Sequence, residues 1–303
     1  MDQIIDIATD GRHLSRDRGF LKVSEDGVEI GRTPLDQIAA VIVHAHGTTW
    51  STSLLTELAE RGAPVVLCAA NHAPKSVLMP LEGHHMQGAR MRAQWQAKIR
   101  FIKQAWKQVV TAKVRMQATA LEAIGEPPAP LLMMVRKITS GDSTNIEAQA
   151  ARHYWPRIMG TEFRRDTGAA DENALLNYGY TVLRAATARA VVAAGLHPTI
   201  GLFHTNRSNA FALADDMMEP FRPLVDCAVR SIVIAHGAEV DTEAKQSLAQ
   251  LIATDLPLGG GITPVSVALM KLATSLGQSF EAGKLTLALP EPPDALTLAG
   301  LGK

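Results

Sequence analysis

The sequence predicts an α+β fold, in which a small β-rich N-terminal domain precedes a larger all-α domain. Two observations predict it. Up to about Ala69, short runs rich in Val and Ile alternate with turn signals, which is typical of strands. Beyond Gln87, apolar residues recur with the spacing of helices. We therefore expect a β-rich domain at 1–80, a linker at 81–90 and a helical domain at 91–303.

The N-terminal domain is predicted to combine several strands with one helix. The apolar runs interpreted as strands are IIDIA, FLKVS, GVEIG, IAAVIVHA and PVVLCAA. The helix is STSLLTELAERG, with Ser51 or Ser53 as its N-cap and Gly62 at its C-terminal end. The later stretch ANHAPKSVLMPLEGHH is rich in loop residues, so we interpret it as a loop-rich linker that leaves this domain.

Composition excludes several classes of protein. The chain has 303 residues, 47% of them hydrophobic and 20% charged, as expected of a globular protein with a substantial core. Its formal net charge is zero, so a surface for nucleic acid would have to be local. Cys68 and Cys227 lack metal-binding spacing and favour a reducing compartment. Because the N-terminus is too charged for a signal peptide and no apolar run is long enough to cross a membrane, we expect a cytoplasmic protein.

A predicted helix over 91–123 carries charge of a single sign. No Asp or Glu occurs between Glu82 and Glu122, a window whose basic residues are Arg90, Arg92, Lys98, Arg100, Lys103, Lys107, Lys113 and Arg115. These cations either solvate the outer face of the helix or bind an external polyanion. Because acidic partners one turn away are missing, we favour the polyanion. Trp95 and Trp106 are interpreted as core residues.

The segment ITSGDSTNIEAQAARHYWPRIMG predicts the start of another helix. Thr144 and Glu147 have the spacing of a capping box, in which Thr144 is the N-cap and Glu147 bonds back to its N–H. From this segment alone we favour the cap. A carboxylate in the first helical turn also stays ionised beside the helix dipole, so metal binding by Glu147 is the alternative.

A long apolar helix is predicted from about Glu172, with the sequence ENALLNYGYTVLRAATARAVVAAG and Gly195 as its C-terminal cap. Apolar residues surround it on almost every side, which places it at the centre of the second domain. Its polar exceptions are Asn177, Tyr178 and Tyr180. We interpret these three as a polar network in the core, because a buried tyrosine hydroxyl needs a hydrogen-bond partner.

The stretch GLFHTNRSNAFALADDMMEPFRPLVD raises the question of why an apolar segment carries so much charge. Its charged residues are Arg207, Asp215, Asp216, Glu219, Arg222 and Asp226. On a helix Asp215, Asp216 and Glu219 would share one face, and clustered carboxylates repel one another unless cations offset them. Pro220 and Pro223 predict a kink or a restart of this helix.

Two explanations account for these carboxylates. A divalent metal bound by His204, Glu219 and a third ligand from elsewhere would leave positions open for water and a phosphate. Asp216 would then orient one of the ligands. Alternatively, the acids form a solvated helix face that Arg207 and Arg222 neutralise. Spacing alone leaves both explanations open.

The motifs carry a resemblance that spacing does not provide. The runs GDSTNIEAQAARHYW, LNYGYTVLRAA, AAGLHPTIGLFH and DDMMEPFRPLVD, in this order, resemble the CRISPR-associated integrase family, the catalytic subunit of the spacer-acquisition complex. The earlier stretch HAHGTTWSTSLLTELAERGAPVVLC is similar to the N-terminal half of that family, so the resemblance covers nearly the whole chain. The short length and the residues of the motifs resemble those of the type II branch of the family.

The resemblance implies a site for Mg²⁺ or Mn²⁺. Its ligands would be Glu147, His204 and Glu219, which fall on the glutamate, histidine and acidic positions of the family motifs. The last of these is Glu where some relatives carry Asp. Asp216 matches the first acid of its motif and would support the ligands, whereas Arg207 and Arg222 fall where relatives have basic residues that face DNA phosphates.

The resemblance also implies the reaction and the partners. A 3′-hydroxyl of a short DNA fragment attacks a phosphodiester at the edge of a CRISPR repeat, a transesterification that needs no nucleotide triphosphate. Consistently, the chain lacks a GxxxxGK[ST] phosphate loop. Family members bind double-stranded DNA and form homodimers, here through the β-rich domain. A small CRISPR-associated partner protein, itself a dimer, bridges two such dimers into a heterohexamer.

Two other functions stay open at this point. A general metal-dependent nuclease without integration activity would share all three ligands, and a DNA-binding scaffold without catalysis would use the basic helix alone. The C-terminal stretch LALPEPPDALTLAGLGK is rich in proline and is expected to be a flexible tail.

Overall fold

The computed structural model describes residues 3–69, 74–204 and 206–302. The chain separates into two compact units, Met1–Gly83 and His84–Lys303. Strands dominate the first unit and helices the second, so the predicted α+β class is confirmed.

In its described part, the first unit contains two four-stranded sheets and a helix. The strands are β1 (Gln3–Ile7), β2 (Arg12–Asp17), β3 (Phe20–Glu25), β4 (Val28–Pro34), β5 (Ile38–Val43), β6 (Thr49–Trp50), β7 (Val65–Cys68) and β8 (Pro74–Leu78). One sheet has the order β1-β5-β7-β8, with β8 antiparallel to its neighbour, and the other has the order β4-β3-β2-β6. The apolar runs in the sequence predict β1, β3, β4, β5 and β7 correctly.

The core of this unit lies around β5, whose residues are all buried. Leu14 and Leu21 from the second sheet pack with it, together with Leu54 and Leu58 of helix α1 (Thr52–Glu60). Of the two N-cap candidates, the structure selects Ser51, whose side chain accepts a hydrogen bond from the N–H of Leu54.

Strands β2, β6 and β8 have no counterpart in the sequence prediction. Strand β8 lies inside the stretch interpreted as a loop, of which residues 70–73 are outside the described part of the chain. It is the antiparallel edge of its sheet, and its residues are exposed or half-buried. An edge strand needs neither an apolar run nor an N–H at its first residue, so Pro74 is tolerated there and the usual strand signal is weak.

The second unit is built from helices of very different lengths. In its described part they are α2 (Gln87–Trp95), α3 (Ile99–Ala123), α4 (Ala129–Val135), α5 (Ile146–Ile158), α6 (Glu172–Ala193), α7 (Ala212–Met218), α8 (Arg222–His236), α9 (Thr242–Gln250), α10 (Val265–Ala282) and α11 (Ala295–Ala299). Among the described residues, no helix combines the length and apolarity that crossing a membrane requires.

Two helix boundaries and the all-helical character of the second unit differ from the prediction. Helix α2 begins at Gln87, inside the range 81–90 interpreted as a linker. The helix predicted over 91–123 is two helices, because α2 ends at Trp95 and α3 begins at Ile99. The second unit is also not entirely helical, since β9 (Asp255–Leu258) and β10 (Gly261–Pro264) form a hairpin. Gly259 and Gly260, both with positive φ, make the tight turn that such a hairpin needs.

Helix α6 occupies the centre of this unit, as its apolar sequence predicts. It packs against α7, α8, α9 and α10. Gly179 allows α8 to approach closely, because a Cβ at this position would lie 2.5 Å from Cγ1 of Val225. Asn177 and Tyr180 make hydrogen bonds inside the unit, which agrees with the predicted polar network.

The C-terminal tail, predicted to be flexible, packs against the helical unit instead. Helix α11 contacts α3 and α8, and Leu298 is completely buried. Asp294 caps this helix by accepting a hydrogen bond from the N–H of Thr297. The proline-rich composition suggested mobility, but the apolar residues that follow the prolines bury against the core.

Candidate functional site

The loop before α7 holds His204 in a fixed orientation. Asp216 of α7 is completely buried, and its Oδ2 accepts hydrogen bonds from the N–H groups of Leu202 at 2.6 Å and Phe203 at 2.9 Å. Its Oδ1 lies 2.5 Å from Nδ1 of His204. Gly201 allows the loop to pass this close to the carboxylate, because a Cβ there would lie 2.8 Å from Oδ2 of Asp216. The buried carboxylate thus anchors both the loop and the imidazole.

This anchoring sets the chemistry of His204. The hydrogen bond that the ring donates to Asp216 raises the pKa of the imidazole, and it outweighs the opposing effect of burial. With Nδ1 engaged, Nε2 is the ring nitrogen left to meet a ligand or a metal. A histidine held by a carboxylate in this way is the usual arrangement of a metal ligand.

Aromatic rings pack behind the imidazole. Trp106 of α3 is buried and stacks on Phe203, with ring centroids 4.5 Å apart and planes 2° from parallel. The edge of the His204 ring contacts both aromatic rings. Trp106 is therefore a core residue as predicted, and it also supports the histidine. Trp95, by contrast, is 76% exposed, so its interpretation as a core residue was wrong.

Glu147 lies in the first turn of α5, but it does not cap this helix. Both carboxylate oxygens of Asp142 accept hydrogen bonds from the helix N-terminus, one from the N–H of Ile146 at 2.8 Å and one from the N–H of Glu147 at 2.9 Å. The capping box with Thr144 as N-cap was therefore wrong, because the capping oxygens come from a residue two positions earlier. The side chain of Glu147 is left available for another role.

The ammonium of Lys113 joins two of the proposed ligands. Lys113 projects from α3, and its Nζ lies 2.5 Å from Oε1 of Glu147 and 2.5 Å from Oε2 of Glu219. Glu219 lies in a single 3₁₀ turn between α7 and α8, at the point where Pro220 and Pro223 predict an interruption. The fold thus brings carboxylates from distant parts of the sequence to a common cation.

Two cations keep Glu219 ionised despite its burial. Burial alone would raise the pKa of this carboxyl group, but the charges of Arg222 and Lys113 lower it to about 2. Burial likewise disfavours the charged form of Lys113, yet the charges of Glu219 and Glu147 raise the pKa of its ammonium. The site is therefore a compact cluster of compensated charges.

The remaining acids of the charged segment have partners of their own. Asp215 accepts a hydrogen bond from Nη2 of Arg184 at 2.7 Å. Asp226 is buried between two tyrosines, accepting hydrogen bonds from the hydroxyl of Tyr154 at 3.0 Å and from that of Tyr180. The solvated acidic face of the second explanation is wrong, because these carboxylates are buried or half-buried and point toward specific groups, but the neutralisation by Arg222 that it included is found at Glu219. This pairing answers why the segment carries so much charge.

The two arginines expected near DNA lie in different surroundings. Arg207 is exposed in the loop before α7. Arg222 places its Nε 2.9 Å from Oε1 of Glu219, and its guanidinium lies 4.7 Å from the centre of the Tyr180 ring. Arg222 is thus part of the charge cluster, whereas Arg207 remains available at the surface.

The donor set fits a divalent metal, although the ligands do not converge on one point. In the described part of the chain, no three His, Cys, Asp or Glu side chains are arranged to hold a metal ion. Oε2 of Glu219 is nevertheless buried without a hydrogen bond of normal geometry, next to the Lys113 ammonium. Two carboxylates that already share a cation, beside an imidazole held by a carboxylate, have the chemistry that Mg²⁺ or Mn²⁺ requires.

Comparison with known proteins decides the family. The family model described as CRISPR associated protein Cas1 matches residues 5–247. The chain belongs to the Cas1 family. The CRISPR-associated endonuclease Cas1 of Neisseria meningitidis is 37% identical over 221 residues, which cover 72% of this chain and 72% of that protein. This similarity agrees with the type II branch that the motifs resemble.

Solved structures share the Cas1 fold of this chain. A casposase bound to an integration product aligns with 97% of this chain and 93% of its own, with a TM-score of 0.74 and 18% identity. A chain of a Cas6-RT-Cas1–Cas2 complex aligns with 93% of this chain, with a TM-score of 0.71 and 19% identity, and this chain spans 35% of it. At these identities the likeness concerns the fold.

Proposed function

We propose that this chain is a metal-dependent DNA integrase that inserts short foreign DNA fragments into a CRISPR array. The observation that carries the proposal is the pair Glu147 and Glu219, which share one cation in a site formed by three separate elements. Membership of the Cas1 family and the likeness of fold to a casposase bound to an integration product support it.

Three residues would hold Mg²⁺ or Mn²⁺ in this proposal. They are Glu147, His204 and Glu219. Bound there, the metal would polarise the scissile phosphate and stabilise the negative charge that develops on it. Glu219 is suited to this role because its pKa of about 2 keeps it ionised at any physiological pH.

The surrounding residues would hold the ligands and the DNA. Asp216 fixes the imidazole of His204 through Nδ1, so that Nε2 presents its lone pair when the ring is neutral. Arg222 holds one oxygen of Glu219. Arg207, exposed close to His204 in sequence, would contact a DNA phosphate.

The reaction would exchange one phosphodiester for another. The 3′-hydroxyl of the fragment attacks a phosphorus atom at the edge of the repeat, and the 3′-oxygen of the cut repeat strand leaves. One P–O bond forms while another breaks, so no nucleotide triphosphate is consumed.

The proposed partners follow the family. Double-stranded DNA would lie along the exposed cations of α2 and α3. We propose a homodimer formed through the β-rich unit and a heterohexamer in which a small partner dimer bridges two such dimers. One relative of the same fold belongs to a Cas6-RT-Cas1–Cas2 complex, which supports a partner of this kind. The free, buried Cys68 and Cys227 are in keeping with action in the cytoplasm.

The end chemistry of the DNA fragment tests this function. The purified chain, its small partner, repeat DNA and MnCl₂ are incubated with a labelled fragment that ends in a 3′-hydroxyl or, as a matched control, in a 3′-deoxy end. We expect joined products with the hydroxyl end alone. Cleavage without joining would favour a general nuclease, and binding without either product would favour a scaffold.

A further inference from the structure

Lys113 is a buried lysine whose ammonium group lies among the proposed metal ligands. Its side chain is 10% exposed. The neighbouring residues on α3 are buried and apolar, namely Val109, Val110, Ala112, Val114 and Met116. A charge on such a helix face is costly unless opposite charges meet it. The position of Nζ is therefore governed by the carboxylates of Glu147 and Glu219.

The ammonium occupies the place of a cation shared by two carboxylates. Nζ lies 2.5 Å from an oxygen of each of Glu147 and Glu219. The contact with Glu219 lacks hydrogen-bond geometry, so Oε2 of this residue is compensated in charge but not fully bonded. A divalent ion held by Glu147 and Glu219 would supply the positive charge that the ammonium now supplies to these carboxylates. It could not share the space with the ammonium, because like charges at such distances repel strongly away from water.

We propose that Lys113 is the resident counter-cation of the metal-free site, and that a divalent metal must displace its ammonium to bind. The proposal rests on the metal site of the proposed function. Before the metal binds, Lys113 holds the two carboxylates together and offsets their repulsion. It thereby stabilises the metal-free chain and lowers the affinity of the site for metal.

A purely structural ion pair would behave differently. Removing such a pair would destabilise the chain equally with and without metal, and metal affinity would not increase. A resident counter-cation instead links stability to metal affinity, because the metal replaces the charge that the lysine supplied. Removing the lysine should then destabilise the metal-free chain and increase the affinity for metal. The two roles therefore separate in a metal titration.

The experiment measures Mn²⁺ binding to the full chain by electron paramagnetic resonance, without DNA and at neutral pH. Lys113→Met and Lys113→Gln remove the charge, Lys113→Arg keeps it, and Arg115→Met is the matched control from an exposed position of the same helix. We expect the two neutral variants to bind Mn²⁺ at least about tenfold more tightly than the wild type. Lys113→Arg and Arg115→Met should remain within about threefold of it.

Thermal melting of the same proteins gives a second readout. Without metal the neutral variants should melt below the wild type, and saturating MnCl₂ should raise their melting temperature by more than it raises that of the wild type. Lys113→Gln provides the test if Lys113→Met does not fold. Mn²⁺ binding by the wild type with equal or weaker binding by folded neutral variants would overturn the role of Lys113 alone. Absence of binding by every protein would overturn the metal site as well.

Discussion

The acidic residues between positions 215 and 226 all have partners in the structure, and several of these partners come from elements that spacing does not connect to them. Spacing placed Asp215, Asp216 and Glu219 on one helix face. In the structure their partners are Arg184 for Asp215, the His204 loop for Asp216, and Lys113 with Arg222 for Glu219. Helical periodicity reports which residues share a face of their own helix. It carries no information about side chains that arrive from other elements.

Lys113 is a basic residue whose acidic partners the sequence pattern likewise did not identify. It lies within a run of basic residues in the sequence, and charge alone groups it with the exposed ones. A signal was nevertheless present, since Val109, Val110 and Met116 place Lys113 on the apolar face of the predicted helix. A lysine on that face requires an acidic partner, and this reasoning would have singled it out.

The residue that caps α5 and the proposed metal ligand in its first turn are different residues, so the two roles can be separated by mutation. Glu147→Gln should abolish strand joining, because it removes the charge that would hold a hard divalent ion. Stability should fall only slightly, since the cap of α5 is Asp142 and the amide oxygen of Gln can still accept a hydrogen bond from the ammonium of Lys113. Asp142→Ala should instead cost about 0.5 to 2 kcal/mol of stability.

Urea unfolding and a joining assay on both variants check this separation, with joining measured at several MnCl₂ concentrations. Partial rescue of Glu147→Gln by excess Mn²⁺ would locate its defect at the metal. A fully active Glu147→Gln with normal metal dependence would remove this residue from the site.

Asp226 should make stability depend on pH. Burial raises the pKa of its carboxyl group from 3.8 to about 6, despite the hydrogen bonds from Tyr180 and Tyr154. The folded state therefore binds this proton more tightly than the unfolded state, and stability is lost as the pH rises from about 4 to about 6. Asp226→Asn cannot lose a proton. We expect the stability of the variant relative to the wild type to increase across this window, by at most about 1.4 kcal/mol per pH unit.

Urea unfolding of both proteins at several pH values between 4 and 8 measures this difference. Any constant effect of the amide on the tyrosine hydrogen bonds shifts the curve without changing its slope. If the stability of Asp226→Asn relative to the wild type falls with rising pH, the folded state favours the ionised carboxylate of Asp226.

At the scale of elements, the basic run divides into two groups. Arg90 and Lys113 are buried and pair with acids from distant positions, Arg90 with Glu281 at 3.0 Å. The others are exposed or half-buried and lie on α2 and α3 or between them, namely Arg92, Lys98, Arg100, Lys103, Lys107 and Arg115. Within the described part of the chain, the expected lack of acidic partners thus applies to the second group, which forms the proposed DNA surface.

The start of α3 is electrostatically unfavourable in the protein alone. Lys98 is its N-cap, Arg100 follows in the first turn, and this turn contains no acidic residue. Cations at a helix N-terminus oppose the helix dipole at about 0.3 to 1 kcal/mol each. We therefore expect the double substitution Lys98→Glu and Arg100→Glu to stabilise the protein and to weaken DNA binding.

Binding of duplex DNA at several salt concentrations, together with thermal melting, checks both effects. The slope of the logarithm of affinity against the logarithm of salt should decrease by about 0.9 for each lost phosphate contact. Arg92→Glu is the control, since Arg92 lies in the last turn of α2, where a cation suits the dipole, and its reversal should not stabilise the protein. An unchanged slope in the double variant would make this face a solvated surface.

The C-terminal helix allows a matched test of packing. Leu298 is completely buried and Leu296, on the same helix, is 84% exposed. Leu298→Ala should cost about 2 to 5 kcal/mol. Leu296→Ala should change stability by less than about 0.5 kcal/mol. Equal effects in a urea unfolding experiment would mean that the tail does not pack as described.

The sequence predicts elements well where an apolar pattern accompanies a clear start or end. Helix α6 is an example, since its predicted start at Glu172 and its cap at Gly195 agree with the structure. The elements that were missed have half-exposed or short patterns, such as β8 and the β9–β10 hairpin. Tail helix α11 was missed because prolines precede it and its apolar run is short.

For the whole molecule, the order of a β-rich unit before a helical unit follows from the change of periodicity along the chain. The identity of the residues that form the site does not follow from this periodicity. His204 and Glu219 lie in one segment, but Glu147 is far from both in the sequence, and only the ordered motifs of a known family link it to them. The structure adds the physical connection, in which α3 supplies the cation and the aromatic support for groups on α5 and around α7.

The central claim is that Glu147, His204 and Glu219 together perform metal-dependent joining of DNA strands. The most direct test measures joined product from a labelled 3′-hydroxyl fragment and repeat DNA, with the small partner, for the wild type and for Glu147→Ala, His204→Ala and Glu219→Ala. We expect joining by the wild type in MgCl₂ or MnCl₂ but not in EDTA. Each variant should lose joining while keeping its fold and most of its DNA binding. Joining by the wild type in EDTA, or full activity in any of the three variants, would contradict the claim.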